Sequence, residues 1–138
     1  MQSKEKYLLV GVIVFALVAL AVFGNYSDFD RSRWKSYEEG LILAEQSGKE
    51  VFIFVSSKTC PTCSEFKRYF TNEVMRKLEE RYVPVFLEYP KDSLDMLPKK
   101  VTSFPTFCVG HVGNISCREI SSIRELMDML EVEYWPKV

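Results

Sequence analysis

Val51-Phe-Ile-Phe-Val-Ser-Ser-Lys-Thr-Cys-Pro-Thr-Cys63 is the stretch from which the organisation of the whole chain can be read. Its first five residues are all apolar, two of them valine and two phenylalanine, and such a run fits a strand buried on both faces of a helix-covered sheet. The run ends in a cysteine pair with two residues between, placed where the strand should give way to a helix. There the two sulfurs can close into a small disulfide or open into a dithiol. Pro61 suits the first helical turn, where its missing N–H would have had no partner. Cys60 then lies against exposed helix N–H groups and the positive end of the helix dipole, which stabilise its thiolate and make it a nucleophile near neutral pH.

Upstream, Ser36 followed three residues later by Glu39 forms a capping-box pattern, and Trp34, Tyr37, Leu41 and Ala44 recur at helical spacing until Gly48. Downstream, a helix from Pro61 to about Phe70 yields at the fresh cap Thr71-Asn72 to a further helical segment over Glu73 to Arg81, with Phe66, Phe70, Val74 and Leu78 as the buried stripe. Tyr82 to Tyr89 reads as a second strand, in which Pro84 must stand at the start or where no ladder hydrogen bond is needed. Pro90 to Lys100 is a polar connection with one helical turn expected around Leu94 to Leu97. Phe104 to Gly110 and Asn114 to Ile120 read as strands joined by a tight glycine-containing turn. Ser122 and Glu125 cap a last helix through Leu126, Met129 and Leu130, before a tail ending Tyr-Trp-Pro-Lys-Val. Helix, strand, helix, strand, hairpin, helix makes an α/β layer around a mixed sheet.

The chain has 138 residues, room for one modest domain, and its 47% hydrophobic content includes an N-terminal stretch to be set apart. Residues 1–6 are a short tail, and 7–24 carry no charge. These eighteen residues are near the lower limit for a membrane-spanning helix and long for the apolar part of a cleaved signal peptide, so an uncleaved anchor is expected. Ala19-Leu20-Ala21, a small-x-small pattern, keeps signal cleavage and secretion as the alternative. Lys4 and Lys6 face Arg31, Arg33 and Lys35 across this segment, so charge does not set its orientation. Residues 25–32 read as a polar tether and 33–138 as the folded domain. A net charge of -1 carries no footprint of a nucleic-acid partner or an anionic membrane surface. The four cysteines, at 60, 63, 108 and 117, suit an oxidising compartment.

The buried strand, Cys60-Pro-Thr-Cys63 at a helix start and Phe104-Pro105-Thr106 opening a later strand together resemble the thioredoxin-like superfamily over about residues 33 to 132. The resemblance implies a thioredoxin-like fold, a central mixed sheet flanked by helices. It implies that Pro105 is a cis proline lying against the cysteine pair, and that Phe104, Pro105 and Thr106 form the platform for an extended substrate segment. The helix before the first strand and the Thr71-Asn-Glu-Val74 break are similar to small exported reductases, and to the C-terminal domain of the transmembrane disulfide reductase of the bacterial inner membrane. By that likeness the expected activity is thiol-disulfide exchange on exported proteins, in the reducing direction. Cys60 would be the nucleophile and Cys63 the resolving thiol, modulated by Lys58, Thr59, Pro61 and Thr62. Electrons would come from a membrane thiol reductant and pass to clients such as apocytochromes, as in cytochrome c maturation, with the domain facing the periplasm or cell exterior. No organic cofactor or metal is implied.

Two departures stand out. Thr59 occupies the place where thioredoxins usually carry tryptophan, and Phe54 the place where many carry a buried aspartate thought to relay a proton to the resolving cysteine. They sustain a second reading, a non-enzymatic binding or assembly module that holds clients on the Phe104-Pro105 edge.

Plainer roles compete at several positions. A closed zinc site needs four ligands, and beyond Cys60 and Cys63 only Cys108, Cys117 and His111 remain, at spacings unlike a common zinc knuckle. A two-residue turn at Val112-Gly113 would pair 111 with 114, 110 with 115, 109 with 116 and 108 with 117. Directly opposed residues have Cα atoms about 4.5 to 5.5 Å apart, so Cys108 and Cys117 can form a second disulfide. Two unpaired buried thiols filling apolar space are the equal alternative. A bridge there is either a structural staple, which proximity favours, or a second couple exchanging with Cys60-Cys63. His111 reads as an exposed turn residue. Lys58 either lowers the pKa of Cys60 or is an ordinary solvated lysine. Glu65 and Lys67 read as the wet face of the active-site helix, and Trp34, Tyr37 and Phe66 as core.

Overall fold

The structure, a computed structural model, describes residues 2–26 and 29–130, with side chains for 4–17 and 29–130. Helix α1 runs Gln2–Tyr26, and its described side chains are all exposed. Among the described residues no helix is long and apolar enough to cross a membrane. The anchor expected over 7–24, with its Ala19-Leu20-Ala21 pattern, lies partly outside the described side chains, and the tail after residue 130 lies outside the described residues altogether.

Phe29, ahead of residue 33, packs against the core. Phe29 packs its ring against Trp34 at 5.3 Å and Phe86 at 5.1 Å, and Asp30 caps a short 3-10 turn, Arg31–Arg33. Trp34 is buried, but it precedes the helix in which its spacing placed it. The reason is a main-chain bridge to the second strand: Lys35 donates its N–H to Pro84 O at 2.9 Å, and its own carbonyl accepts from Phe86 N at 3.2 Å. Residue 35 is therefore extended. Helix α2, Tyr37–Ser47, starts at its Ser36 cap and stops at Gly48, whose φ of 73° is the left-handed conformation that suits glycine.

The sheet has the order β2-β1-β3-β4, with β1 Glu50–Ser57, β2 Tyr82–Tyr89, β3 Thr106–His111 and β4 Asn114–Glu119. β1 pairs parallel with β2 and antiparallel with β3, and β4 completes an antiparallel hairpin, so the sheet is mixed. β1 is central, and Val51 to Val55 are buried on both faces, as an unbroken apolar run demands. Its alternation sorts the core. Phe52 and Phe54 face a cluster built with α3 (Pro61–Tyr69), α4 (Asn72–Arg81) and α5 (Ile123–Met129). Val51, Ile53 and Val55 face the other cluster, with Ala44 of α2. Gly40 lets α2 approach β2, since a Cβ there would overlap Cγ2 of Val85.

Pro84 lies inside β2, not at its start. Its carbonyl points to Lys35 on the outer edge, and its nitrogen points the same way, so the missing N–H takes nothing from the ladder with β1. Between 90 and 100 the helical turn expected at Leu94 to Leu97 is a reverse turn closed by Leu97 N–H on Leu94 O at 3.2 Å. The hairpin has the register that its two-residue turn requires, His111 with Asn114 through Cys108 with Cys117.

Cys108 and Cys117 form a disulfide, with Cα atoms 4.0 Å apart. Cys108 and Cys117 belong to the α2-side cluster, whereas Cys60 and Cys63 belong to the α3-side cluster. The sheet stands between the two disulfides, so direct exchange between them is blocked and the staple role is the one this placement allows. Replacing both Cys108 and Cys117 by alanine is expected to lower the unfolding free energy by about 2–3 kcal/mol, read from urea midpoints at unchanged slope. An unchanged midpoint would show that the hairpin needs no staple.

Candidate redox site

β1 ends at Ser57, Lys58 and Thr59 make a turn, and Cys60 is the N-cap of α3 with Pro61 in its first turn. The turn is fastened from within: Cys60 N–H donates to Ser57 O at 3.3 Å, and Thr59 N–H donates to Ser57 Oγ at 3.4 Å. Cys60 Sγ takes the place of a capping oxygen and accepts the Cys63 N–H at 3.0 Å. The two cysteines are joined as a disulfide with Cα atoms 5.3 Å apart. They are not equivalent, for Cys60 is half-buried while Cys63 is 1% exposed. An incoming sulfur can meet Cys60 and cannot meet Cys63. Among the described residues no three His, Cys, Asp or Glu side chains converge as metal ligands.

The antiparallel register Val55 to Thr106 places the residues before β3 at the end of the sheet where β1 runs into Cys60. The Phe104-Pro105 bond is cis. Of the three residues expected to receive a client, however, two are turned inward. Pro105 is buried and its carbonyl accepts from Ile120 N at 3.3 Å. Thr106 is 2% exposed, paired with Val55 on one side and Glu119 on the other, and its hydroxyl donates to Ser103 O. A residue that opens a strand with neighbours on both sides has no free main-chain edge, and Thr106 lies beneath Phe104 in that position. Phe104 remains half-exposed, and no hydrogen bond among the described residues holds its main chain.

Sequence reasoning missed Tyr89. This residue ends β2, is 50% exposed, and stacks its ring on Phe104 at 5.7 Å. Its carbonyl accepts the Lys58 N–H at 3.3 Å, and the following Tyr89-Pro90 bond is cis. Nothing in the local pattern marks it; only the parallel register of Ser57 with Tyr89 brings it beside the cysteine turn. The Lys58 side chain is exposed, Thr59 is exposed and Thr62 is half-buried. Glu65 is on the wet face as expected, but Lys67 is not. One helical turn after Cys63, Lys67 faces the sheet, pairs with Glu88 Oε2 at 3.2 Å, and lies over the rings of Phe86 and Phe29. His111 is exposed in the hairpin.

Phe54, fully buried, stacks on Phe107 at 4.9 Å and meets Phe86 edge-on at 5.4 Å, so aromatic rings surround the position. Tyr69, at the end of α3, has a buried hydroxyl with no hydrogen-bond partner among the described residues, and burial pushes its pKa up to about 12.

A family model described as thioredoxin-like matches residues 33–109. An uncharacterised protein of Archaeoglobus fulgidus is 35% identical over 130 residues, 93% of this chain and 98% of that one. The solution structure of a thioredoxin from Thermus thermophilus superposes with a TM-score of 0.58 at 26% identity, covering 72% of this chain and 84% of the other. A structure described as DsbH oxidoreductase superposes at 0.54 over 72% of this chain and 85% of its own, and at 16% identity its likeness is one of fold.

Tyr69→Phe is expected to raise stability by about 1 kcal/mol, because it removes a buried hydroxyl without a partner. The folded pKa of Tyr69 is about 12, above the unfolded value of about 10, so its contribution is constant below about pH 10 and is lost as pH rises through the folded value. Alkaline unfolding of Tyr69→Phe should be correspondingly less steep. Destabilisation of the variant by a similar amount would mean that the hydroxyl is satisfied.

Proposed function

The chain belongs to the thioredoxin-like family, and from that premise we propose that it is a thiol-disulfide oxidoreductase acting on exported proteins through Cys60 and Cys63, in the reducing direction. The observation that carries the reading is the asymmetry of the pair: a half-buried Cys60 at a helix N-cap, with a fully buried partner one turn on. In the reduced state the Cys60 thiolate, stabilised by the Cys63 N–H and the helix dipole, attacks a client disulfide. One client sulfur leaves with the electron pair and takes a proton, and a Cys60-client mixed disulfide remains. Cys63, as thiolate, then attacks Cys60 Sγ, closes the Cys60–Cys63 disulfide and releases the second client sulfur. Two electrons pass to the client. The open main chain of Phe104 and the Tyr89–Phe104 stack form the platform on which an extended client segment lies.

The same proposal places residues 7–24 in the membrane, with the domain facing the periplasm or cell exterior; the alternative is secretion after signal cleavage. The exposed apolar side chains of α1, among them Leu8, Leu9 and Phe15, support it. A membrane thiol reductant would then return electrons to the Cys60–Cys63 disulfide, and a tether holds the domain at high effective concentration near that donor. Clients of the apocytochrome kind, as in cytochrome c maturation, rest on the sequence resemblance alone. A second reading, a non-enzymatic assembly module, draws on Phe54, whose ring lies among those of Phe66, Phe70, Phe86 and Phe107 where a buried carboxylate would stand in an exchange enzyme.

Cys60→Ser is expected to abolish reduction of insulin disulfides and to trap no partner, whereas Cys63→Ser should accumulate mixed disulfides visible on non-reducing gels. If both variants reduce insulin and bind clients as the wild type does, the protein is an assembly module and not an oxidoreductase.

A further inference from the structure

We propose that Asn114, at the start of β4, is an acceptor for an N-linked glycan. The inference rests on the reading that the domain is exported, because such glycans are added only to exported chains. It does not depend on the chemistry of Cys60 and Cys63. The transfer requires an asparagine, then any residue except proline, then a serine or threonine. The chain has three asparagines. Asn114-Ile115-Ser116 and Asn25-Tyr26-Ser27 have the required form, whereas Asn72 is followed by Glu73 and Val74. Asn25 follows directly on the apolar segment 7–24 and its side chain is outside those described, so Asn114 is the acceptor whose surroundings can be examined.

Strand alternation presents the two side chains together. Ile115 and Cys117 pack against the α2-side cluster, so Asn114 and Ser116, which flank Ile115, share the opposite face. Both are exposed. Among the described residues no hydrogen bond holds the Asn114 amide or the Ser116 hydroxyl, whereas Asn72 Oδ1 accepts from Arg33 Nη1 at 3.3 Å. Asn114 comes straight after the Val112-Gly113 turn and is paired with His111. The strand that it opens is the last of the sheet, with β3 on one side and no strand on the other. A transferase can therefore hold the segment from its free side without opening the fold.

A glycan at this position leaves the redox site open. Gly110 is level with Val51 and Thr106 with Val55, so the hairpin turn stands at the end of the sheet where β1 begins, and Cys60 follows the end where β1 finishes. β1 has eight residues, which puts the two ends about 20–25 Å apart. Phe104 and Tyr89 lie at the Cys60 end, beyond the hairpin turn. The free edge of β4 also gains a shield. An unpaired edge strand is a template for pairing with another chain, and a bulky, hydrated group on its first residue obstructs that pairing.

The step balances with one co-reactant, an oligosaccharide carried on a lipid phosphate and presented by a membrane oligosaccharyltransferase. The Asn114 amide nitrogen, Nδ2, attacks the anomeric carbon of the first sugar and forms the N–C bond. The bond from that carbon to the phosphate oxygen breaks, and its electron pair leaves on the lipid phosphate. Nδ2 gives one proton to the transferase. Nothing is oxidised or reduced, and Ser116 is unchanged at the end.

The full-length chain can be translated with microsomal membranes that hold dolichol-linked oligosaccharide and its transferase, and protease added outside then reports whether the domain has crossed. The expected result is a protected chain with a glycan on Asn114, located by mass spectrometry because peptide N-glycosidase converts a glycosylated asparagine to aspartate. Asn114→Gln and Ser116→Ala should each lose the glycan at this position, and Ser116→Thr should keep it, which separates the acceptor sequence from any loss through misfolding. A protected chain with Asn114 unmodified, or a Ser116→Ala chain modified as fully as the wild type, would overturn the proposal. A chain that is digested from outside and carries no glycan would refute the export reading, and this inference with it.

Discussion

The chemistry depends on one hydrogen bond, from the Cys63 N–H to Cys60 Sγ at the first turn of α3. A helix start leaves its first N–H groups without partners, and here a sulfur occupies the place of the usual capping oxygen. Those donors and the helix dipole favour negative charge at the position Cys60 Sγ occupies. That geometry holds only because β1 cannot move. Five side chains from Val51 to Val55 are fully buried between two clusters, and the strand delivers Cys60 to one place at the edge of the α3-side core.

A central strand also separates two kinds of cysteine chemistry. The Cys108–Cys117 bridge ties the edge strand β4 to β3 and looks toward α2, while Cys60–Cys63 looks toward α3. The sheet thus keeps the hairpin bridge on the face away from the Cys60–Cys63 pair. Charge is distributed with the same economy. Lys67–Glu88 is a shielded pair on the reactive face, whereas Arg33–Glu79, at 2.8 Å, fastens the entry segment to α4.

What could be read from residues alone was whatever depends on short-range pattern. The apolar run of β1, the caps at Ser36, Thr71 and Ser122, the hairpin register through Val112-Gly113 and the proline of Phe104-Pro105 all follow from neighbours a few positions apart. The failures came where a distant strand decides. Trp34 kept its buried place but lost its helix, because Lys35 bridges to β2 some fifty residues away. Helical periodicity counted Lys67 as solvated, since its partner Glu88 becomes visible only once β2 is laid beside β1. Tyr89 goes unmarked for the same reason, and the pairing of Thr106 on both sides cannot be read from Phe-Pro-Thr.

The central claim is that Cys60–Cys63 is a reversible couple while Cys108–Cys117 is a fixed staple. Thiol trapping with mass spectrometry on the full-length chain, equilibrated in graded redox buffers, measures both at once. The account predicts a midpoint for Cys60–Cys63 between about -270 and -120 mV, with Cys108–Cys117 still oxidised below about -300 mV. The reverse order, or no reversible midpoint for Cys60–Cys63, would contradict it.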